Sequence, residues 1–422
     1  MIRFFIPIIM AFTSLTIATF ALAATDQAMV TDKEWVDFLQ KAANQGYALA
    51  QNDLGAMYEA GRGLPQDYRK AANLYQQAAD QGLALAQNNL GNMYEAGRAL
   101  PQDDRKAAEL YQQAADQGLA LAQNNLGNMY LTGRGGMPQD DWKAAELYQQ
   151  ATNQGLALAQ YNLGSMYEAG RGGMPQDDRK AAELYQQATD QGLALAQNNL
   201  GNMYLTGRGG IPQDDRKAAD LYQQAVDQGL ALAQSNLADM YLSGRGVPQD
   251  DRKAAELYQQ AADQGLALAQ FNLAGMYSTG RGVSQNHRKA AELLHKAAHQ
   301  GLAFAQTRLG NMYLEGIGVF KDEGKAAEWY QKASAQEEPI SQTILGSMYL
   351  QGNGVPKDER KAFELIQKAS DQKYGRAQFL LGMMYVEGMG VKQDKTKGCI
   401  MMSKTVEHGD VRFYDNRCAV GN

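Results

Sequence analysis

The sequence predicts an all-α protein, a solenoid of about ten helical hairpins of 36 or 37 residues each. Three observations predict it. The string ALAQNNLGNMY stands at 84–94, 120–130 and 194–204, and variants recur at the same spacing elsewhere. Such a fixed period marks an array whose units complete one another's cores. Inside each period apolar residues recur at helical spacing, with none of the alternation a strand would show. The composition is rich in Ala, Leu, Gln and Tyr and poor in β-branched residues, which favours packed helices over sheet.

At the N-terminus, Arg3 precedes the apolar stretch FFIPIIMAFTSLTIATFALA, which ends in Ala21-Leu22-Ala23. The run is nearly long enough to span a bilayer. Pro7, Thr13, Ser14, Thr16 and Thr19 weaken it as a permanent span, and the small-residue end suits a peptidase, so 1–23 reads as a cleaved secretory signal. No stable membrane span is expected once it is removed. Residues 24–47 form an N-terminal segment, of which 31–47 match only the second helix of a repeat and so read as a capping helix.

Residues 84–119 serve as the type repeat. Ala86, Leu90, Met93 and Tyr94 form the stripe of a first helix. Gly91 lies inside that helix, where glycine costs about 1 kcal/mol relative to alanine, so close approach of another helix backbone is expected there. Gly97 closes the helix in the left-handed conformation. Beyond Pro101, Asp103 is the expected N-cap of a second helix, with Ala107, Leu110, Tyr111, Ala114 and Ala115 on its apolar face and Gly118 at its end. Two short helices cannot bury both stripes alone, and the next hairpin completes the burial.

In this register the repeats start near 48, 84, 120, 157, 194, 231, 267, 303, 339 and 375, giving a solenoid over 48–410. Those at 120, 157 and 194 carry one extra turn residue, Gly136, Gly173 and Gly210. The tail, 411–422, matches nothing in the repeat. It offers Phe413, Tyr414 and Val420 as cover for Ile400, Met401 and Val406 of the final helix. The two cysteines, Cys399 and Cys418, are expected to pair across it, since the chain is marked for an oxidising compartment.

The pattern Ala-Gln-x-x-Leu-Gly-x-Met-Tyr-x-x-Gly, then Gly-x-Pro-x-Asp, then Lys-Ala-Ala-x-x-Tyr-x-x-Ala-x-x-x-Gly, resembles the Sel1-like repeat family over about nine tenths of the chain. That family is a relative of the tetratricopeptide repeats, and the 36-residue period and glycine-bearing turn favour the Sel1-like form. The resemblance implies a right-handed α/α superhelical solenoid and a scaffold that gathers other proteins. It also implies, for bacterial members, frequent export and roles in the cell envelope, signalling or host contact. Three departures are local. Ala99 replaces a turn glycine, Pro339 starts a first helix, and Ser284 and Asn286 replace the Pro and Asp that precede a second helix.

Chemistry is sparse. Net charge is −6 with both signs interspersed, so no basic stripe exists to neutralise phosphates, and nucleic acid is not an expected partner. His295 and His299 stand four apart on one helical face, but the acid of the metalloprotease pattern is missing and no metal site is expected. Ser370 and Lys373 fit a loose Ser-x-x-Lys, without the Ser-Asp-Asn and Lys-Thr-Gly elements of penicillin-recognising enzymes. No cofactor is implied and no enzyme is expected. The arginine column Arg62, Arg98, Arg134, Arg171, Arg208, Arg245 and Arg281 recurs in the turns, and is expected to bond helix-end carbonyls or a neighbouring repeat's acid.

Binding is therefore sought on the first helices, which tend to line the concave side of such solenoids. Taking the outward face to start at the fifth residue of the repeat gives Asn88, Asn124, Tyr161, Asn198, Phe271 and Phe379 in one row, with Asn92, Asn128 and Asn202 in a second. Paired amides suit a peptide backbone, and aromatics supply anchors. The expected function is a non-catalytic, periplasmic or secreted scaffold that binds a protein or peptide. The alternatives are an envelope accessory holding a glycan-processing enzyme or polysaccharide and, further off, a β-lactamase-like hydrolase.

Overall fold

A computed structural model of the protein describes residues 31–407 and Cys418, without the side chains of 404–407. The expected signal and the tail residues Phe413, Tyr414 and Val420 lie outside the described residues. Among those described, the structure contains 21 helices and no strand, in consecutive antiparallel pairs. The chain divides into two compact halves, one up to Gln191 and the other from Gly192.

The type repeat shows why the sequence folds this way. Its first helix, Ala84–Ala96, ends at Gly97, whose φ of 63° is left-handed. The second helix, Asp104–Asp116, begins after Asp103, whose carboxylate accepts from the backbone amides of Arg105 and Lys106. That cap satisfies two of the four amides a helix start leaves without partners. Tyr111 is fully buried and its ring lies across the first helix. A Cβ on Gly91 would stand 2.7 Å from the Tyr111 ring, so the expected backbone approach is instead an aromatic one.

In the N-terminal half, helix Asp32–Asn44 opens with a Thr31–Glu34 capping box and packs Leu39, Ala42 and Ala43 against Ala50, Leu54 and Met57 of the first hairpin. Arg62 reaches back from that hairpin to Asp32. The arginine column behaves as expected at the junctions: the Arg134 guanidinium donates to both oxygens of Asp104 at 3.0 Å and to Glu95 at 2.9 Å, all in the preceding repeat. Where Tyr68 takes the place of that aspartate, Arg98 sits over its ring at 5.9 Å and bonds Glu59.

In the C-terminal half the same links recur as Arg245 to Asp215 and Arg281 to Asp251. The departures resolve locally. Asn286 caps its helix through Lys289, as an aspartate would. Pro339 stands at the first position of its helix, where no amide partner is needed, and Glu338 caps the start. Ala99, in the N-terminal half, keeps the left-handed turn at φ 58° despite its side chain. Cys399 and Cys418 are disulfide-bonded with Cα atoms 5.4 Å apart, as the sequence led one to expect.

Candidate partner-binding face

Within each half, a first helix packs against its own second helix and against the second helix of the preceding repeat. In Ala84–Ala96 the exposed residues are Asn92 and Ala96, with Leu85 half-buried in line with them, at i, i+7 and i+11; Asn89 is half-buried and donates to Asn52 of the preceding repeat at 3.0 Å. They form one narrow strip. The expected first row lies about one residue off this strip, and that is the main correction to the sequence reading.

Asn88, Asn124 and Asn198 are buried, none more than 4% exposed. Their amide oxygens accept from the following repeat: Asn125 donates to Asn88 at 3.0 Å, Asn162 to Asn124 at 2.9 Å and Asn236 to Asn198 at 2.8 Å. A buried amide must be satisfied, so this row holds repeats together and cannot face a partner. Tyr161, Phe271 and Phe379 occupy the same register and are half-buried, not free anchors. Tyr161 packs at 5.8 Å from the Tyr185 ring, and Phe271 packs against the core of the C-terminal half.

The second expected row is open. Asn92, Asn128 and Asn202 are exposed. Their amide oxygens accept hydrogen bonds from the buried tyrosines of their own second helices, Tyr111 at 2.7 Å, Tyr148 at 2.5 Å and Tyr222 at 2.6 Å. Burial pushes each of these phenols well above its ordinary range, so the hydroxyl stays a donor. With the oxygen held inward, the amide NH2 group is left to the solvent side.

Two features escaped the sequence reading. The second residue of the first helix is an exposed apolar side chain in six of the ten repeats, Leu49 and Leu121 in the N-terminal half and Leu232, Leu268, Phe304 and Ile340 in the C-terminal half, and a half-buried leucine in three more. The alternation of buried and open positions at the helix start was the available signal. A glutamine row, Gln51, Gln87, Gln123 and their equivalents, is buried and bonds the end of its own second helix, as Gln117 does to Gln87 at 2.8 Å.

Among the described residues no three His, Cys, Asp or Glu side chains are placed to hold a metal ion. His295 donates to or accepts from the Tyr313 hydroxyl at 3.0 Å, and both His295 and His299 lie edge-on to Trp329. Ser370 is buried at a helix end, while Lys373 sits in the turn beyond it at φ 64°. Among the described residues no helix is long and apolar enough to cross a membrane.

The Sel1 repeat family matches residues 36–47 in part and then 48–83, 84–119, 120–156, 157–193, 194–230, 231–266, 267–302, 303–337, 339–374 and 375–410. The chain is a Sel1 repeat protein. It is similar to a protective antigen present in uropathogenic Escherichia coli strains that displays an SLR fold. Identity is 32%, covering 96% of this chain and 88% of that one, with a TM-score of 0.67. A Sel1 repeat protein from Oxalobacter formigenes is 34% identical over 74% of this chain and 89% of its own, with a TM-score of 0.53. No curated protein sequence matches the chain. As a Sel1 repeat array, the fold is an α-solenoid of the kind that typically serves as a protein-interaction scaffold.

Proposed function

We propose that this Sel1 repeat protein is an exported, non-catalytic scaffold that docks an extended polypeptide on the open strip of its first helices. The carrying observation is the exposed apolar side chain at the second position of these helices, which reaches 50% exposure at Leu268 and 59% at Phe304. Apolar side chains aligned on a solenoid face, beside outward amide donors such as Asn202, offer both area and carbonyl partners. Packed helices stand about 8–10 Å apart. One repeat therefore matches about three residues of extended chain, at about 3.3–3.6 Å each.

A polysaccharide would call for aromatic rings stacked along the strip, and Phe304 alone of the exposed residues in this row supplies one. Export rests on the Arg3-to-Ala23 pattern and on the disulfide, which belongs to oxidising compartments.

A photo-crosslinking residue in place of Leu268 or Phe304, introduced in the producing cell, should trap a discrete polypeptide. The same residue in place of Glu256 or Glu292, both exposed on second helices, should not. Equal trapping from both sets would remove the strip from the account. For export, the mature protein should begin at Ala24 by intact mass.

A further inference from the structure

In the C-terminal half the strip carries an acid at one of the positions that Asn202 and Asn311 hold in their repeats. Asp239 stands where Asn92 and Asn202 stand in their repeats, and Gly275 occupies that position in the next repeat. Asp239 is exposed on the strip and accepts from the Tyr258 hydroxyl through one oxygen. Asn272 donates to the same hydroxyl at 3.3 Å, which places the Asn272 side chain beside the carboxylate. A Cβ built on Gly275 meets nothing within 4 Å, so the space that an asparagine fills elsewhere is open. Among the described residues the second oxygen of Asp239 and the amide oxygen of Asn272 have no partner, and no cation pairs with Asp239. Partial burial of the carboxyl on the Tyr258 side raises it above the usual range, against the lowering effect of the Tyr258 hydrogen bond. The repeats at 84, 120, 194 and 303 carry an asparagine here, whereas this notch presents two acceptors. The exposed Arg308, two repeats on from Asp239, forms no ion pair with it.

We propose that the Asp239–Asn272–Gly275 notch receives a cationic side chain of the docked polypeptide, an arginine whose guanidinium donates to the Asp239 carboxylate and the Asn272 amide oxygen. The notch suits a planar fork of donors, since a carboxylate takes two parallel N–H bonds from one guanidinium. The inference rests on the docking reading above and adds the chemistry of one position to it.

The test uses the full chain and two blocked peptides of alternating leucine and serine, one with a central arginine and one with citrulline, which keeps the shape and removes the charge. The arginine peptide should bind at least about tenfold tighter, the scale of one charge-assisted contact. Asp239→Asn and Gly275→Asn restore residues that the fold already carries in other repeats, so both variants should fold, and each should bring the two peptides to equal affinity. A preference that survives Asp239→Asn overturns the inference. Equal binding of both peptides to the natural protein, lost in both cases on Leu268→Asp, overturns it while leaving the docking reading standing. Binding indifferent to Leu268→Asp overturns both.

Discussion

The junction between the repeats at 84 and 120 is tied by charge, and the junction between those at 267 and 303 by rings. At the first, Arg134 bridges Asp104 and Glu95. At the second, Ile317 takes the arginine's place and His287 the aspartate's, so both partners are lost together. His287 is left with a buried ring nitrogen that has no hydrogen-bond partner. In exchange, Trp329 is only 7% exposed under His295 and His299, with ring centroids 5.9 and 5.2 Å away, and Tyr313 bonds His295. The apolar frame is common to both: Ala107 and Ala290 are fully buried at equivalent sites, and a lysine stands over the first-helix tyrosine in each, Lys143 on Tyr130 and Lys325 on Tyr313. The difference teaches that small-residue packing defines the repeat, while the polar tie across a junction can be exchanged for an aromatic one.

Removing the aromatic tie should have the largest effect. Trp329→Ala should destabilise the repeats on either side by about 3–5 kcal/mol, the range for truncating a large buried ring. Hydrogen exchange resolved by repeat would show the loss confined to the C-terminal half, because solenoid stability is local. Reduction of Cys399–Cys418 comes next. The bond closes a loop of 19 residues, and a crosslink over such a span contributes about 3 kcal/mol. Exchange should rise in helix Lys395–Glu407 on adding reductant and stay unchanged in the repeats before 339.

Acid should separate the two junctions. Burial, then His299 and Lys325, hold the His295 imidazole below its ordinary range. A depressed histidine stabilises the fold above its unfolded pKa of about 6.5 and loses that contribution as pH falls through it. Asp104 is held low by its hydrogen bond to Arg134. Its contribution is full above the unfolded value of about 3.9 and is lost only as pH falls further. Exchange at pH 5 should therefore quicken at the ring junction and not at the charged one. Smallest of all, Ile317→Arg combined with His287→Asp should install the missing ion pair and raise local stability by up to about 1 kcal/mol, the usual ceiling for an exposed pair.

Most of the fold was legible because its determinants are local: Gly97 closes a helix, Asp103 opens one, and the period supplies the partner. The face was legible only in part. A helical wheel centred on Ala86, Leu90 and Met93 puts Asn88 opposite the core, as it would for a helix lying on one surface. This helix packs against neighbours on more than one side, so its open strip lies about a third of a turn from the stripe, at Asn92 and Ala96 with Leu85 in line, while Asn89 donates to the preceding repeat. Asn92, Asn128 and Asn202 fall on the strip under either geometry, whereas Asn88, Asn124, Asn198, Tyr161, Phe271 and Phe379 do not. The reason Gly91 is glycine was likewise hidden, because the ring it accommodates comes from Tyr111, twenty residues on.

The central claim is that the paired asparagines, such as Asn88 and Asn125 of the next repeat, bind the stack together, while the asparagine four residues after the first of each pair, such as Asn92, faces outward. A double-mutant cycle on Asn88 and Asn125, read as local unfolding free energy by hydrogen exchange, tests it most directly. Each single change to alanine should destabilise the 84–156 region, and the pair should show a coupling of about 1 kcal/mol, as expected of a buried hydrogen bond between two amides. Additive or negligible losses would mean that Asn88 is free, and would return the binding face to the row first read from the sequence.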